Sequence, residues 1–129
     1  MKLKTLLVIA AVIFGFFGAG LLIAAGPLMS LYGLTLDQDA NVVAQIFGAA
    51  LIGYAAMNWT ARNASSFEAQ RAIVLNNFLF HLIAFFPAFW ATLSGVLNVL
   101  GWSSVVIHLF LAAGLGYFLF TKPNEVWQI

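Results

Sequence analysis

The stretch LKTLLVIAAVIFGFFGAGLLIAA, residues 3–25, decides the fold of this chain. At a rise of 1.5 Å per residue, a helix of this length spans about 34 Å, which is enough to cross a hydrocarbon core about 30 Å thick. The apolar core of a secretory signal has roughly 7–15 residues. This longer run therefore predicts a first transmembrane helix that is not cleaved.

The same apolar character continues through the chain. Its 129 residues are 64% hydrophobic and only 7% charged, with a mean hydropathy of +1.02. Soluble domains carry about 25% charged residues, so this composition predicts an integral membrane protein. Four apolar segments predict helices at about 4–26, 40–61, 69–97 and 102–120. We expect a single all-α domain, an up-down bundle of four transmembrane helices.

The charged residues predict the orientation of this bundle. Basic residues lie before the first helix, between the second and third, and after the fourth, whereas the first connection carries only acids: Lys2, Lys4, Arg62, Arg71 and Lys122 against Asp37 and Asp39. Lys and Arg in loops stay preferentially in the cytoplasm, so both termini are predicted to be cytoplasmic. We expect a bacterial inner membrane protein in contact with the lipid bilayer. A formal charge of +1 without a basic patch predicts no nucleic-acid partner.

Small residues recur along the second predicted helix and include Ala44, Gly48 and Gly53. Small side chains let helix backbones approach closely in a membrane, where this packing replaces the hydrophobic drive. We therefore expect the second helix to be the most enclosed of the four.

Two histidines are the strongest candidates for chemistry, because ionisable residues inside a membrane are costly and are functional hypotheses by default. His81 lies in the third predicted helix and His108 in the fourth. Neither has a second histidine or a carboxylate three or four residues away, so no metal site is predicted. Counting from the predicted helix ends separates the two by about 10 Å in height, which predicts that they do not share a small ion.

The role of each histidine stays open at this point. Each ring could be a neutral core residue that bonds to a neighbouring helix, for example at Ser104 or Thr92. His81 or His108 could instead bind a haem or a chlorophyll, as a single ligand or as an axial pair, or contact a quinone. Proton relay or substrate contact is the remaining alternative.

A second candidate is a polar cluster at the predicted cytoplasmic end, formed by Asn58, Arg62, Arg71, Asn76 and Asn77. These residues are predicted at similar depth on adjoining helices and could together hold an anion or a lipid headgroup. The alternative is that the two arginines only orient the chain and that the asparagines satisfy backbone groups near helix ends.

The sequence contains no recognisable catalytic apparatus. There is no cysteine, no serine with a base at a recognisable spacing and no phosphate-binding loop, so we predict that the chain is not an enzyme. Our leading hypothesis is a structural or accessory subunit of a larger membrane complex, which contacts other membrane subunits or a second copy of itself. The alternatives are a small-molecule binder or transporter with a site around His81, Gln45 and Pro87, or a subunit that binds haem, quinone or chlorophyll.

The chain as a whole resembles the DoxX-like and related small four-helix bacterial membrane proteins. The resemblance lies in the number, size and layout of the segments, together with the end of the second helix, residues 55–62, and with Asn76, Asn77 and His81. It implies a four-helix membrane fold. It assigns no role to any individual residue.

Overall fold

The computed structural model describes residues 2–121, and these fold into four α-helices. They are α1 (Leu3–Leu31), α2 (Gln38–Ala61), α3 (Phe67–Leu93) and α4 (Gly101–Thr121). All four are long and apolar enough to cross a membrane. The prediction of an all-α fold with four helices of transmembrane type is therefore confirmed. The chain is a membrane protein by the length and composition of its helices.

The orientation of the bundle and its location in a bacterial inner membrane stay predictions. Lys122, which belongs to the charge pattern, lies outside the described residues.

The starts of α2 and α3 are fixed by side-chain caps. Asp37 Oδ1 accepts a hydrogen bond from the backbone nitrogen of Ala40 at 2.8 Å, and Ser66 Oγ accepts one from Ala69 at 3.3 Å. Each cap satisfies a backbone N–H that has no partner within its own helix. The two caps therefore define where α2 and α3 begin.

The first helix does not stop at the predicted position. Instead of ending near residue 26, α1 breaks at Ala24, where φ is −144° and ψ is 50°, and then continues through Pro27 to Leu31. Proline has no N–H, and its ring crowds the carbonyl four residues earlier, here that of Ile23. The proline therefore distorts the helix one turn upstream without ending it.

The third helix ends earlier than predicted. It runs through Pro87 as helix and stops at Leu93 rather than at residue 97. Gly95 follows with a φ of +79°, a left-handed conformation that glycine adopts without strain. The connection to α4 therefore occupies residues 94–100.

The helices are arranged as two antiparallel hairpins, α1 with α2 and α3 with α4, and the two hairpins touch each other only sparsely. Within the first hairpin the backbones are in direct contact. A Cβ added at Gly48 would lie 2.7 Å from the backbone nitrogen of Leu22 and 2.8 Å from the carbonyl oxygen of Gly18. The small residues of α2 therefore permit one close helix pairing.

This pairing does not make α2 the most enclosed helix, and that prediction is wrong. Within an apolar stretch of 18 residues in each helix, 39% of the α1 stretch is buried but only 11% of the α2 stretch. Small residues on α2 bring one face against α1 and leave its other faces open. The interior is instead built on α1, whose Leu3, Leu6 and Leu7 are almost completely buried together with Leu111 and Leu115 of α4.

The α1–α2 connection and the α3–α4 connection lie at the same end of the bundle, which we call the loop end. There Asn98 donates from its backbone nitrogen to Tyr32 O at 2.9 Å and from Nδ2 to Leu31 O at 2.8 Å. The hydroxyls of Tyr32 and Ser103 are 3.4 Å apart. The two hairpins are thus joined by hydrogen bonds at the loop end. We call the opposite end, where α1 begins, the terminal end.

Candidate functional site

The two histidines are in direct contact. His81 Nδ1 and His108 Nδ1 are 2.9 Å apart and share a hydrogen bond, and the ring centroids are 5.2 Å apart. The expected height difference of about 10 Å is therefore wrong. Because α3 ends at Leu93, its end lies about 6 Å nearer to His81 than a helix that continues to residue 97 would allow. The two side chains, each extending toward the other helix, close the remaining distance.

His81 is enclosed by aromatic rings. Its imidazole is stacked on Phe14 of α1, with centroids 5.2 Å apart and planes 23° apart, and it meets Phe80 edge-on at 5.1 Å. The residue is 1% exposed. Its Nε2 is buried and has no hydrogen-bond partner among the residues that the structure describes.

The hydrogen-bond partners expected for the histidines are not the ones observed. Thr92 Oγ1 donates to Ala88 O within its own helix at 2.8 Å, so it does not serve His81. Ser104 lies one turn before His108 on α4 and lines the same cavity as the two histidines. The partner of each imidazole is the other imidazole.

A cavity of about 650 Å³ lies between the two hairpins, and the histidine pair forms part of its wall. Its size falls within the range of small-molecule sites, which is roughly 300–1,000 Å³. The lining is mainly aliphatic and aromatic. Its rings and polar side chains are Phe14, Phe17, Phe47, Phe80, Tyr32, Ser104, His81 and His108. The wall is therefore apolar except for a few polar side chains, of which the two histidines are in contact.

The cavity extends from the buried histidines to the side of the bundle. Phe47 of α2 and Ile83 of α3 both line it, yet they are 46% and 64% exposed. These two helices belong to different hairpins, and few of their residues approach one another. Tyr32, Leu34 and Leu97 line the cavity toward the loop end. Because these two lining residues are also exposed, the cavity opens between α2 and α3, on a side that lipid would cover.

The two histidines differ in their access to this cavity. His81 is almost completely buried, whereas His108 is only partly buried and also lines the cavity. Both rings line the cavity, and His108 offers the larger accessible surface to a molecule there. His81 contacts it through Nδ1.

The observed pair does not fit one proposed cofactor arrangement, two axial ligands on a single haem. Metal–imidazole bonds of about 2.0–2.1 Å on opposite sides of an ion place the two nitrogens about 4 Å apart. The Nδ1 atoms are 2.9 Å apart and bond to each other, which leaves no space for iron between them. Binding of haem or chlorophyll by one histidine alone stays a prediction. Residues 2–121 contain no group of three or more His, Cys, Asp or Glu side chains that could hold a metal ion.

Two residues of the expected polar cluster form a buried contact toward the terminal end. Asn58 Nδ2 donates to Asn77 Oδ1 at 3.0 Å, and both residues are 0% exposed. Arg62 lies over the ring of Trp59, with its guanidinium carbon 3.7 Å from the ring centroid, and donates to the carbonyl of the same residue.

The other two members of that cluster are exposed. Asn76 and Arg71 both lie on the surface of α3, next to the buried side of the helix that carries Asn77. The structure thus unites Asn58 with Asn77, while Arg62 turns to its own helix. Binding of an anion or a headgroup by this cluster stays a prediction.

The residues expected beside His81 in a binding site are not those that line the cavity. Gln45 Nε2 donates to Leu22 O at 3.4 Å, in the contact between α1 and α2. Pro87 is exposed on α3, and neither residue is part of the cavity lining. Sequence reasoning missed Phe14 and Phe80, which enclose His81. Ser104 and His108 are four residues apart on α4, a spacing that places both on one helical face and is a sequence signal for this wall.

No family model, curated protein or solved structure matches this chain. The resemblance to the DoxX-like proteins therefore stays a prediction.

Proposed function

We propose that this protein binds a small lipophilic molecule in the cavity between its hairpins and holds a polar group of that molecule at the His81–His108 pair. The observation that carries the proposal is this hydrogen-bonded pair in the wall of an otherwise apolar cavity of about 650 Å³. Small-molecule sites combine apolar walls with a few convergent polar groups in this way.

The lining of the cavity supports a binding role. Side chains that line a cavity gain dispersion contacts when a molecule occupies it. Polar side chains in apolar surroundings are stabilised by a hydrogen-bond partner, which a bound molecule can supply to the histidine pair.

The position of the opening supports a ligand that is dissolved in the bilayer. Phe47 and Ile83 connect the cavity to the face of the bundle that lipid would cover. Phe14 and Phe80 offer ring faces and edges to a planar molecule. A lipophilic ring that bears polar oxygen atoms, such as a quinone, has the shape and chemistry that this lining favours.

The role of structural or accessory subunit stays a prediction, because contact with another protein is tested by none of these observations. Extensive exposed apolar surface is what lipid requires, and it does not distinguish a docking face from a lipid-facing one.

The proposal is tested by filling the cavity and identifying what the protein carries. Ala84 lines the cavity, whereas Ala113 is exposed on α4 and lies outside the lining, so Ala84→Phe and Ala113→Phe are a matched pair. The three proteins are extracted from native membranes in mild detergent, and their organic extracts are compared by mass spectrometry.

We expect one lipophilic species in near-stoichiometric amount with the wild-type protein and with Ala113→Phe, reduced about tenfold or more with Ala84→Phe. If the wild-type protein carries nothing above the bulk lipid background, or if both variants carry equal amounts of the species, the proposal is wrong.

A further inference from the structure

We propose that His81 is a positioning residue that fixes the tautomer of His108, so that His108 Nε2–H donates into the cavity. The site then selects lipophilic molecules that present a hydrogen-bond acceptor, such as a ketone or quinone oxygen. The part of this inference that concerns the ligand rests on the proposed function. The part that concerns the tautomer does not.

The hydrogen bond between the two rings couples their tautomers. A contact of 2.9 Å between His81 Nδ1 and His108 Nδ1 requires that one nitrogen carries a proton and that the other accepts it. Two N–H groups would repel each other at this distance, and two bare nitrogens would have no proton to share. The tautomers of the two histidines are therefore opposite and coupled.

The charge state of the two rings follows from their surroundings. A charged imidazole at this position would lie in an apolar interior without a carboxylate beside it. The acids of the described chain, Asp37, Asp39 and Glu68, are exposed at the starts of α2 and α3. An unpaired charge at membrane depth is costly. Each ring is therefore neutral and carries a single N–H.

Two arrangements of the protons remain. In the first, His81 carries its proton on Nδ1 and donates to His108, whose own proton is on Nε2. In the second, His108 donates from Nδ1, and His81 carries its proton on Nε2. The two arrangements differ at the outer nitrogens: His108 offers the cavity a donor in the first and an acceptor in the second.

The surroundings of His81 select the first arrangement. His81 Nε2 is buried, and no described residue offers it a hydrogen bond. Buried N–H groups without an acceptor are rarer in proteins than under-satisfied acceptors. The second arrangement would place an N–H at this atom. In the first arrangement the atom is a bare nitrogen, and the N–H of the pair that needs a partner lies at His108, the more exposed of the two rings.

The tautomer is measured directly without a ligand. Protein labelled with ¹⁵N-histidine is reconstituted in nanodiscs, and protonated and bare ring nitrogens are distinguished by their ¹⁵N shifts, with each ring assigned through its own Cα. We expect a protonated Nε2 and a bare Nδ1 in His108, the reverse in His81, and a correlation across the Nδ1–Nδ1 hydrogen bond. A bare Nε2 in His108, or two rings of the same tautomer, would overturn the inference.

Variants of His81 separate positioning from packing. The amide nitrogen of Asn can donate from near the place of Nδ1, whereas Leu offers no hydrogen-bonding group there. We expect His81→Asn to keep the protonated Nε2 of His108 and His81→Leu, which removes the donor, to leave a mixture of the two His108 tautomers. The same His108 tautomer in both variants would show that residue 81 does not control it.

Selectivity for an acceptor is tested with two probes of nearly equal shape. 2-Acetonaphthone carries a ketone oxygen, and 2-isopropenylnaphthalene replaces that oxygen with a methylene group. We expect the wild-type protein and His81→Asn to bind the ketone about tenfold more tightly, which corresponds to one hydrogen bond. His81→Leu should weaken this preference.

The outcomes for the two proposals are distinct. Equal affinity of the wild-type protein for both probes would overturn the selectivity while leaving the cavity a binding site. Binding of neither probe would contradict the proposed function, and the tautomer measurement would still decide the positioning role of His81.

Discussion

Asn58 of α2 donates a hydrogen bond to Asn77 of α3 at 3.0 Å, and neither side chain is exposed. This contact joins the two hairpins toward the terminal end, where α2 and α3 otherwise make few contacts. Asn58 Nδ2 also donates to Tyr54 O, and Asn77 Nδ2 donates to Ile73 O, so each amide is fixed to its own helix as well. A hydrogen bond between side chains thus connects α2 and α3, although their backbones are not closely packed against each other.

Replacement of Asn77 by Leu should therefore destabilise the bundle. The change removes the hydrogen bond between hairpins and leaves a buried amide of Asn58 without this partner, which costs about 1–2 kcal/mol in the free energy of unfolding. Unfolding in mild detergent, followed by circular dichroism against temperature, measures the loss. Asn76→Leu is the matched control, because Asn76 is the exposed neighbour and should change stability by less than about 0.5 kcal/mol. Equal effects of the two substitutions would contradict the assigned contact.

The close pairing of α1 with α2 makes Gly48 intolerant of any side chain. In Gly48→Ala the new Cβ would press on backbone atoms of Leu22 and Gly18, which cannot move as a side chain can, and we expect a loss of about 1–3 kcal/mol. A Cβ at Gly53, on the same helix, meets nothing within 4 Å. Gly53→Ala should therefore be neutral or stabilise by up to about 1 kcal/mol. Thermal unfolding of both variants provides the comparison, and a stable Gly48→Ala protein would show that the helices are further apart.

The hydrogen bond at the loop end should also stabilise the fold. Asn98→Ala removes the bond from Nδ2 to Leu31 O and the acceptor that receives the backbone N–H of Leu100. Because the side chain lies at an exposed turn, we expect a moderate loss of about 1 kcal/mol. Ser94→Ala, in the same connection, removes only a 3.4 Å contact to Ala91 O and serves as the control. A loss no larger than that of the control would mean that the Asn98 side chain does not join the hairpins.

The predicted orientation can be tested with single cysteines, since the chain has none of its own. Asn63→Cys lies in the connection between α2 and α3, and Val99→Cys lies at the loop end. If the basic residues are cytoplasmic, a membrane-impermeant maleimide should label Val99→Cys in intact cells and label Asn63→Cys only after lysis. The opposite labelling pattern would show that the topology is the reverse of the predicted one, with the same fold.

The parts of the fold that follow from length and composition were predictable. A helix must satisfy its backbone groups internally in a membrane and must be about 20 residues long, so the four helices follow from the sequence. The end of α1 does not follow from the sequence, because Pro27 can either stop a helix or distort it. Which of these occurs depends on packing beyond the proline.

The candidate site was only half predictable. The cost of an ionisable group in a membrane identified His81 and His108, but their contact depends on where α3 ends. That point is set by Gly95 and by the way Gly101 of α4 packs against Thr92. An error of four residues in one helix end was enough to separate two side chains that share a proton. The enclosing Phe14 comes from the other hairpin, a long-range contact that periodicity within one helix cannot reveal.

Both histidines belong to the α3–α4 hairpin, whereas Phe14, Phe17 and Phe47 approach the cavity from α1 and α2. Hydrogen-bonding chemistry and the shape of the facing wall are thus encoded in separate halves of the chain. Substitutions in the first half could alter which ring systems fit while the imidazole pair stays unchanged. A family of proteins with different ligands could arise from this design by exchange of one hairpin alone.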